Sequence, residues 1–373
     1  MMLIESIEIR HVRMRLVSPF GTSFGVEHDR DCIIVCMQSE GMTGWGECVA
    51  SNFPGYSYET IGTAWHVLSD FFIPAVLGKR VSSVEDFTAL YARYKGHRQA
   101  RAGLEMGLWD LLGKAAQKSL SSLLGGQRAS VAVGVSVGIQ PDEQQLIEVV
   151  EGYVQEGYQR VKLKIKPGRD LKELQAVRRS FPDLKLQVDA NSAYSLEDGD
   201  TFVAMDPLDL LMIEQPLAED DLIDHSVLQK SLSTPICLDE SIRSARHARQ
   251  AIEIDACRVI NIKSGRVGGL AEARRIHDLS AAQGVPVWCG GMLETGIGRA
   301  ANLALASLPG FTLPGDISAS DRYYLDDIAE PRFTLNPDST IDVPEGPGLG
   351  VNVVEDYLEK VTLRRECFRT KGR

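Results

Sequence analysis

No apolar run in this 373-residue chain reaches the roughly 18 residues that suggest a membrane-spanning helix. No CxxC pair occurs among its seven cysteines, Cys32, Cys36, Cys48, Cys237, Cys257, Cys289 and Cys367, and their number is odd. Several sit in apolar strand contexts, where a buried free thiol is the common case. A disulfide framework and a cysteine-built metal site are therefore not expected, and reduced thiols point to a cytoplasmic protein. Positive charge is in short supply: 40 Lys and Arg stand against 51 Asp and Glu, for a net charge of −11. That balance argues against nucleic acid as a main partner. The opening residues, MMLIESIEIRHVRMRL, alternate like a strand and lack the apolar core of a signal peptide. Short repeats and low-complexity stretches are missing too.

What is present is an ordinary globular balance, 44% hydrophobic and 24% charged residues, on a length that suits a barrel with one smaller domain. Residues 1–127 read as an α+β domain. A strand over 3–16 is followed by a loop, SPFGTSFG (18–25), and by a meander, DCIIVCMQSE and TGWGECVA, around a turn at 40–44. A second loop, SNFPGYSYE (51–59), again mixes aromatics with Pro and Gly. Aromatics in such loops pack locally, or they cover a substrate as lids. On the second reading Phe20, Ser23, Phe24 and Tyr56 are candidate substrate contacts. Further on, RQARAGLEMGLWDLLGKAAQ sets Leu104, Leu108, Leu111, Leu112 and Ala115 on one helical stripe, which stops at Gly125 and Gly126.

From 128 to 320, strand-like and helix-like segments alternate, the mark of a parallel sheet. The strands are VAVGVSVGI, RVKLKIK, LKLQVDAN, LDLLMIEQP, TPICLDES, RVINIKSG and VPVWCGGM, with a weak eighth at TLPGDI. Eight segments favour a closed ring over an open, doubly wound sheet. The Pro- and Gly-rich stretch 321–373 is expected to run back across the first domain.

Five polar residues close successive strands of this series. Lys164, Asp189, Glu214 and Asp239 follow one another at 25 residues, and Lys263 comes 24 later. In a closed barrel the C-terminal strand ends converge on one mouth. Three carboxylates crowded there repel one another unless a cation neutralises them, and an oxygen-only set suits Mg²⁺, or Mn²⁺, better than Zn²⁺. None of the seven histidines ends a barrel strand, which leaves the lysines as bases. Lys162 lies two residues before Lys164 and shares its face, so its charge lowers the pKa of its neighbour. Lys263, on strand six, stands roughly across the ring from strand two; it can also pair with Asp239 next door. Asn191 and Asn261 rank as hydrogen-bonding supports, and Glu240 as a support of the ligand ring from the other face. Arg266 is a contact for a substrate carboxylate or a structural ion pair. GGMLETGIGRAAN (290–302) has the glycines and helix start of an anion site, which puts forward Gly291, Met292 and Glu294.

With these residues in view, KLK on strand two, VDAN on three, IEQP on four, LDES on five and NIKSGRVGG on six resemble the enolase superfamily, in its muconate-lactonizing-enzyme subgroup. The LEMGLWDLLGK helix and the CGGMLETGIGRAANLALASLPG segment extend the likeness over most of the chain. It is most similar to the o-succinylbenzoate synthase / N-succinylamino acid racemase family, also called N-acylamino acid racemases. The resemblance implies a (β/α)₇β TIM-like barrel with an N-terminal α+β capping domain. It assigns Asp189, Glu214 and Asp239 to Mg²⁺ and Lys164 and Lys263 to the catalytic pair. It implies abstraction of a proton next to a carboxylate through an enediolate, for dehydration in quinone (menaquinone) biosynthesis, for racemisation, or for both. A dipeptide epimerase or a muconate-type cycloisomerase would use the same lysine pair. A small-molecule carboxylate is the expected partner, and capped barrels of this kind commonly form homo-oligomers.

Overall fold

The computed structural model describes residues 1–370. Three long antiparallel strands come first: β1 (Ser6–Thr22), β2 (Gly25–Ser39) and β3 (Met42–Cys48). Alternating apolar residues of β1 and β2, among them Ile7, Ile9, Ile33 and Val35, enter one core. The stretch 18–25, expected to be a loop, is the tip of the β1–β2 hairpin, with Phe20 opposite Glu27 and Thr22 opposite Gly25. The register slips between Arg15 and Phe20. Pro19 lies within that slip and has no N–H to give the ladder, which is why the sequence there does not read as strand.

The helix α1 (Arg98–Ala116) packs under this sheet. Leu104, Leu108 and Leu111 are buried as expected, but Ala115 is exposed, and Glu105, Met106 and Asp110 are buried on the remaining sides. A helix sandwiched between cap and barrel has no free polar face, so one apolar stripe describes it incompletely. Its approach to β3 is set by glycines. A Cβ on Gly44 or Gly46 would run into the main chain of Gly107 or Gly103. Gly46→Val should therefore cost about 1–3 kcal/mol of stability, the usual range for overpacking, read as a lower urea midpoint.

Seven parallel strands follow in chain order, each paired with the next: β4 (Val135–Val137), β5 (Arg160–Lys164), β6 (Lys185–Asp189), β7 (Leu210–Glu214), β8 (Ile236–Leu238), β9 (Val259–Ile262) and β10 (Val287–Cys289). After each comes a helix: α2 (Glu143–Glu156), α3 (Leu171–Ser180), the short α4 (Gly199–Val203), α5 (Ile223–Ser231), α6 (Ala245–Glu253), α7 (Leu270–Ala282) and α8 (Gly296–Ala306). The eighth segment is not a regular strand, since Pro314 cannot donate to a ladder. It closes the ring nonetheless. Gly315 exchanges main-chain hydrogen bonds with Ala132 and Gly134, and Asp316 N donates to Cys289 O at 2.8 Å. The chain is thus a capped (β/α)₇β barrel. Its final strand, β11 (Thr362–Arg369), returns to pair with β1. No helix among the described residues is long and apolar enough to cross a membrane. All seven cysteines are free thiols.

Candidate active site

Strand register explains how the five polar residues meet. Lys164 lies opposite Asp189, and Asp189 opposite Glu214, so these three stand at one level at the ends of β5, β6 and β7. Glu214 is opposite Cys237, which places Asp239 two residues higher, just past β8. Lys263 follows β9 and sits higher again. The side chains therefore climb around the mouth, and Lys162 faces in one layer below Lys164.

All three carboxylates are fully buried, and ammonium groups compensate them. Lys162 Nζ lies 2.9 Å from Glu214 Oε2, 3.1 Å from Asp189 Oδ2 and 2.5 Å from Asp316 Oδ2. Lys164 Nζ donates to Asp189 Oδ2 at 2.6 Å and to Asn191 Oδ1 at 2.7 Å. Lys263 Nζ donates to Asp239 Oδ2 at 2.7 Å, and Tyr56 OH donates to the other oxygen at 3.0 Å. Burial lowers the pKa of Lys164, and the nearby charge of Lys162 adds to that, outweighing the pull of Asp189. Lys263 is buried too, yet Tyr56 and the carboxylates around it raise its pKa. The two amines are driven in opposite directions.

Both lysines line one small cavity of about 70 Å³, roofed by Phe20, Phe24 and Tyr56 and walled by Gly291 and Met292. Gly55 lies against the rings of Phe24 and Phe53, so the hairpin tip and the 51–59 loop meet over the mouth. Four further candidates are placed elsewhere, as supports. Ser23 Oγ donates to the Asn191 carbonyl at 3.4 Å. Asn261 Nδ2 holds Glu214 Oε1 at 2.7 Å. The Arg266 guanidinium pairs with Asp239 and donates to the carbonyls of Ile242 and Asn261, as the ion-pair alternative has it, and it also lines a cavity with Tyr56 and Asn191. Glu294 accepts from Met292 N and from Asn302 Nδ2, and so braces the loop that carries Met292. Glu240 turns toward the mouth, where it accepts from Asn191 Nδ2 at 2.9 Å.

The start of α8 is not a free anion site. Glu47, from β3 of the cap, accepts from Thr295 N and Gly298 N, and Asp327 accepts from Gly296 N. A protein carboxylate already fills the place that the glycines suggested for a ligand. Burial, with Glu294 beside it, pushes Glu47 up to about 7.

Arg30, Ser136 and Asp316 also line the cavity, and the sequence reading missed them. Asp316 had a signal: it nearly ends the eighth segment, as the other carboxylates end theirs. Burial opposes its charge, but Lys162 and Arg160 hold it down at about 2. Arg30 had none, since it reaches the mouth from the middle of a cap strand.

The expectation that three carboxylates close around one ion is met only in part. They occupy neighbouring strand ends, but among the described residues no three His, Cys, Asp or Glu side chains converge on a common point. Lysine ammoniums sit against them instead. The chemistry of the donor set does fit a hard divalent cation: it is buried, all oxygen, and free of His and Cys. Asn191 N, Asn261 and Tyr56 fix one oxygen each on Asp189, Glu214 and Asp239.

Comparison with known proteins gives the context. Residues 4–125 match the mandelate racemase / muconate lactonizing enzyme N-terminal domain, and residues 145–357 the enolase C-terminal domain-like family. The chain is 51% identical over 365 residues to an N-succinylamino acid racemase of an Amycolatopsis species, covering 98% of this chain and 99% of that one. It is 49% identical over 366 residues to an o-succinylbenzoate synthase of Geobacillus stearothermophilus, covering 98% and 97%. A crystal structure of an enolase superfamily member from Listeria innocua superposes with a TM-score of 0.94 at 40% identity, covering 99% of this chain and 100% of that one.

Proposed function

The chain belongs to the enolase superfamily, in its mandelate racemase / muconate lactonizing enzyme branch, and on that premise we propose that it removes a proton next to a carboxylate. The reaction is the dehydration that forms o-succinylbenzoate, the racemisation of N-succinylamino acids, or both. One observation carries this reading: Lys164 and Lys263, from strands on opposite sides of the ring, line a single buried cavity. Relatives at about half identity bear both names, and both reactions begin with the same step.

Asp189, Glu214 and Asp239 would hold the divalent cation, Mg²⁺ or Mn²⁺. Bound there, it supplies positive charge that makes a proton beside a carboxylate more acidic. The residues of the chain do the rest. Lys164, in its free-base form, takes the α-proton from one face of the substrate. In racemisation Lys263, as the ammonium, returns a proton to the other face, and the opposite enantiomer exchanges their roles. In the dehydration one lysine takes the α-proton and passes it to the departing hydroxyl, which leaves as water as the carbon–carbon double bond forms, and the ammonium of the other offsets the negative charge that builds up. Asn191 and Tyr56 orient the two amines. Phe20, Phe24 and the 51–59 loop exclude water. The cavity of about 70 Å³ is smaller than an ordinary small-molecule site, but Tyr56 and Asn191 also line an adjoining cavity of about 390 Å³ that adds room for a substrate.

The test is side-by-side kinetics of the purified protein with the synthase substrate and with a panel of N-succinyl amino acids in deuterated water. Saturable elimination, or deuterium entering the α-carbon with loss of optical purity, is expected. No elimination and no exchange across the panel would overturn the reading.

A further inference from the structure

Away from the mouth, a cavity of about 550 Å³ lies along the seam between cap and barrel, and it shares no lining residue with the reaction cavity. Lys95, Arg98 and Arg101 face it from the cap. Among the described residues none of the three has a carboxylate within 4.0 Å. Their bonds go to main-chain carbonyls instead: Arg98 Nε donates to Arg243 O at 2.6 Å, and Arg101 Nε to Gly96 O at 3.0 Å. The carboxylates on the same wall are mostly engaged elsewhere. Glu272 pairs with Arg275 at 2.5 Å and accepts from Ala245 N. Glu105 is buried and accepts from Trp109 Nε1 and Ala271 N. Among the described residues that line this wall, Glu85 is the one carboxylate not so engaged; behind the wall, Glu59 accepts from Gln99 N and Ala100 N and offsets part of the charge of Arg98 and Arg101. The buried Tyr91 hydroxyl, also in this wall, has no hydrogen-bond partner among the described residues.

Neighbouring groups register the same excess of positive charge. The pKa of His97 is lowered by burial and then by Arg101. That of His247 is lowered by burial and then by Arg98, Arg246 and Arg243. In a chain of net charge −11, unpaired cations gathered in one concavity call for an anion. Guanidinium groups also offer planar paired donors that suit carboxylate and phosphate oxygens.

We propose that this seam cavity binds a small oxyanion carrying two or more negative charges, held by Lys95, Arg98 and Arg101. Such a ligand would touch both cap and barrel, and it would stabilise the folded protein by binding it selectively.

Thermal unfolding and calorimetric titration of the whole protein, at ionic strength held constant with potassium chloride, test this with inorganic phosphate and, separately, succinate. At least one probe should saturate and raise Tm; which one does so tells a phosphate ligand from a dicarboxylate. The double variant Lys95→Gln/Arg98→Gln should weaken that binding about tenfold or more, as expected for losing charge-assisted hydrogen bonds. Because Lys95 is exposed and outside every packed core, Lys95→Gln alone should fold normally and weaken binding by a smaller factor. If neither probe saturates, or if binding survives both variants unchanged, the site does not exist.

Discussion

Lys164→Ala and Lys263→Ala should each abolish racemisation, with kcat on either substrate falling roughly 10²–10⁴-fold, the range typical of a lost general acid or base. The losses should not be identical in kind. Each variant keeps one amine, so it should still exchange the α-proton of one enantiomer, and the two variants should favour opposite enantiomers. Proton exchange followed by NMR in deuterated water separates these outcomes. Neither substitution strips a carboxylate of its last cation. Asp189 retains Lys162 at 3.1 Å when Lys164 is removed, and Asp239 retains Arg266 when Lys263 is removed. Folding should therefore survive, and circular dichroism with urea titration checks that it does. A folded Lys164→Ala protein with near-normal rates on both substrates would refute the two-base reading.

The sequence revealed the skeleton of this site because a barrel converts a sequence period into a place. Strand ends about 25 residues apart arrive at one mouth whatever the loops between them do, so Lys164, Asp189, Glu214, Asp239 and Lys263 could be read together. Their partners across the cap could not. Tyr56 reaches Asp239 over 183 residues of chain, and Glu47 reaches Thr295 over 248. Nothing in local pattern encodes such distances. The glycines of GGMLETGIG showed that a backbone turns there but not what fills the turn, which proved to be a carboxylate of the cap. Likewise, nothing in the sequence around Gly44 and Gly46 announces the helix α1 that lies against them. Asp316 is the instructive intermediate. It belonged to the same ladder, but Pro314 and Gly315 left its strand weak in the pattern, and Asp316 was not singled out.

Chelation should silence the enzyme while leaving it folded. After EDTA treatment and removal of the chelate, activity on both substrates should drop by roughly 10³-fold or more, equivalent to several kcal/mol of lost charge stabilisation, and added Mg²⁺ or Mn²⁺ should restore it. Tm should change far less than the activity does. The reason lies in the pairing described above. Lys162 donates to Glu214, Lys164 to Asp189, and Lys263 to Asp239. Each buried carboxylate thus has a cationic partner within the chain, which should hold the fold when the ion is removed. On the proposed mechanism the chemistry does need an ion, for two reasons. The substrate carboxylate would otherwise meet three anionic groups, and both catalytic amines would stay committed to those groups. Carboxylates engaged by a divalent cation would hold the amines less tightly, which would leave Lys164 and Lys263 to turn to the substrate. Glu214→Gln separates the two effects, because Glu214 contacts neither catalytic amine directly. It should weaken metal affinity, measured by titrating Mg²⁺ against activity, while Lys164 and Lys263 keep their positions. Full activity in chelated protein that elemental analysis shows to be free of metal would remove the ion from the reaction, and the lysine pair would have to act alone.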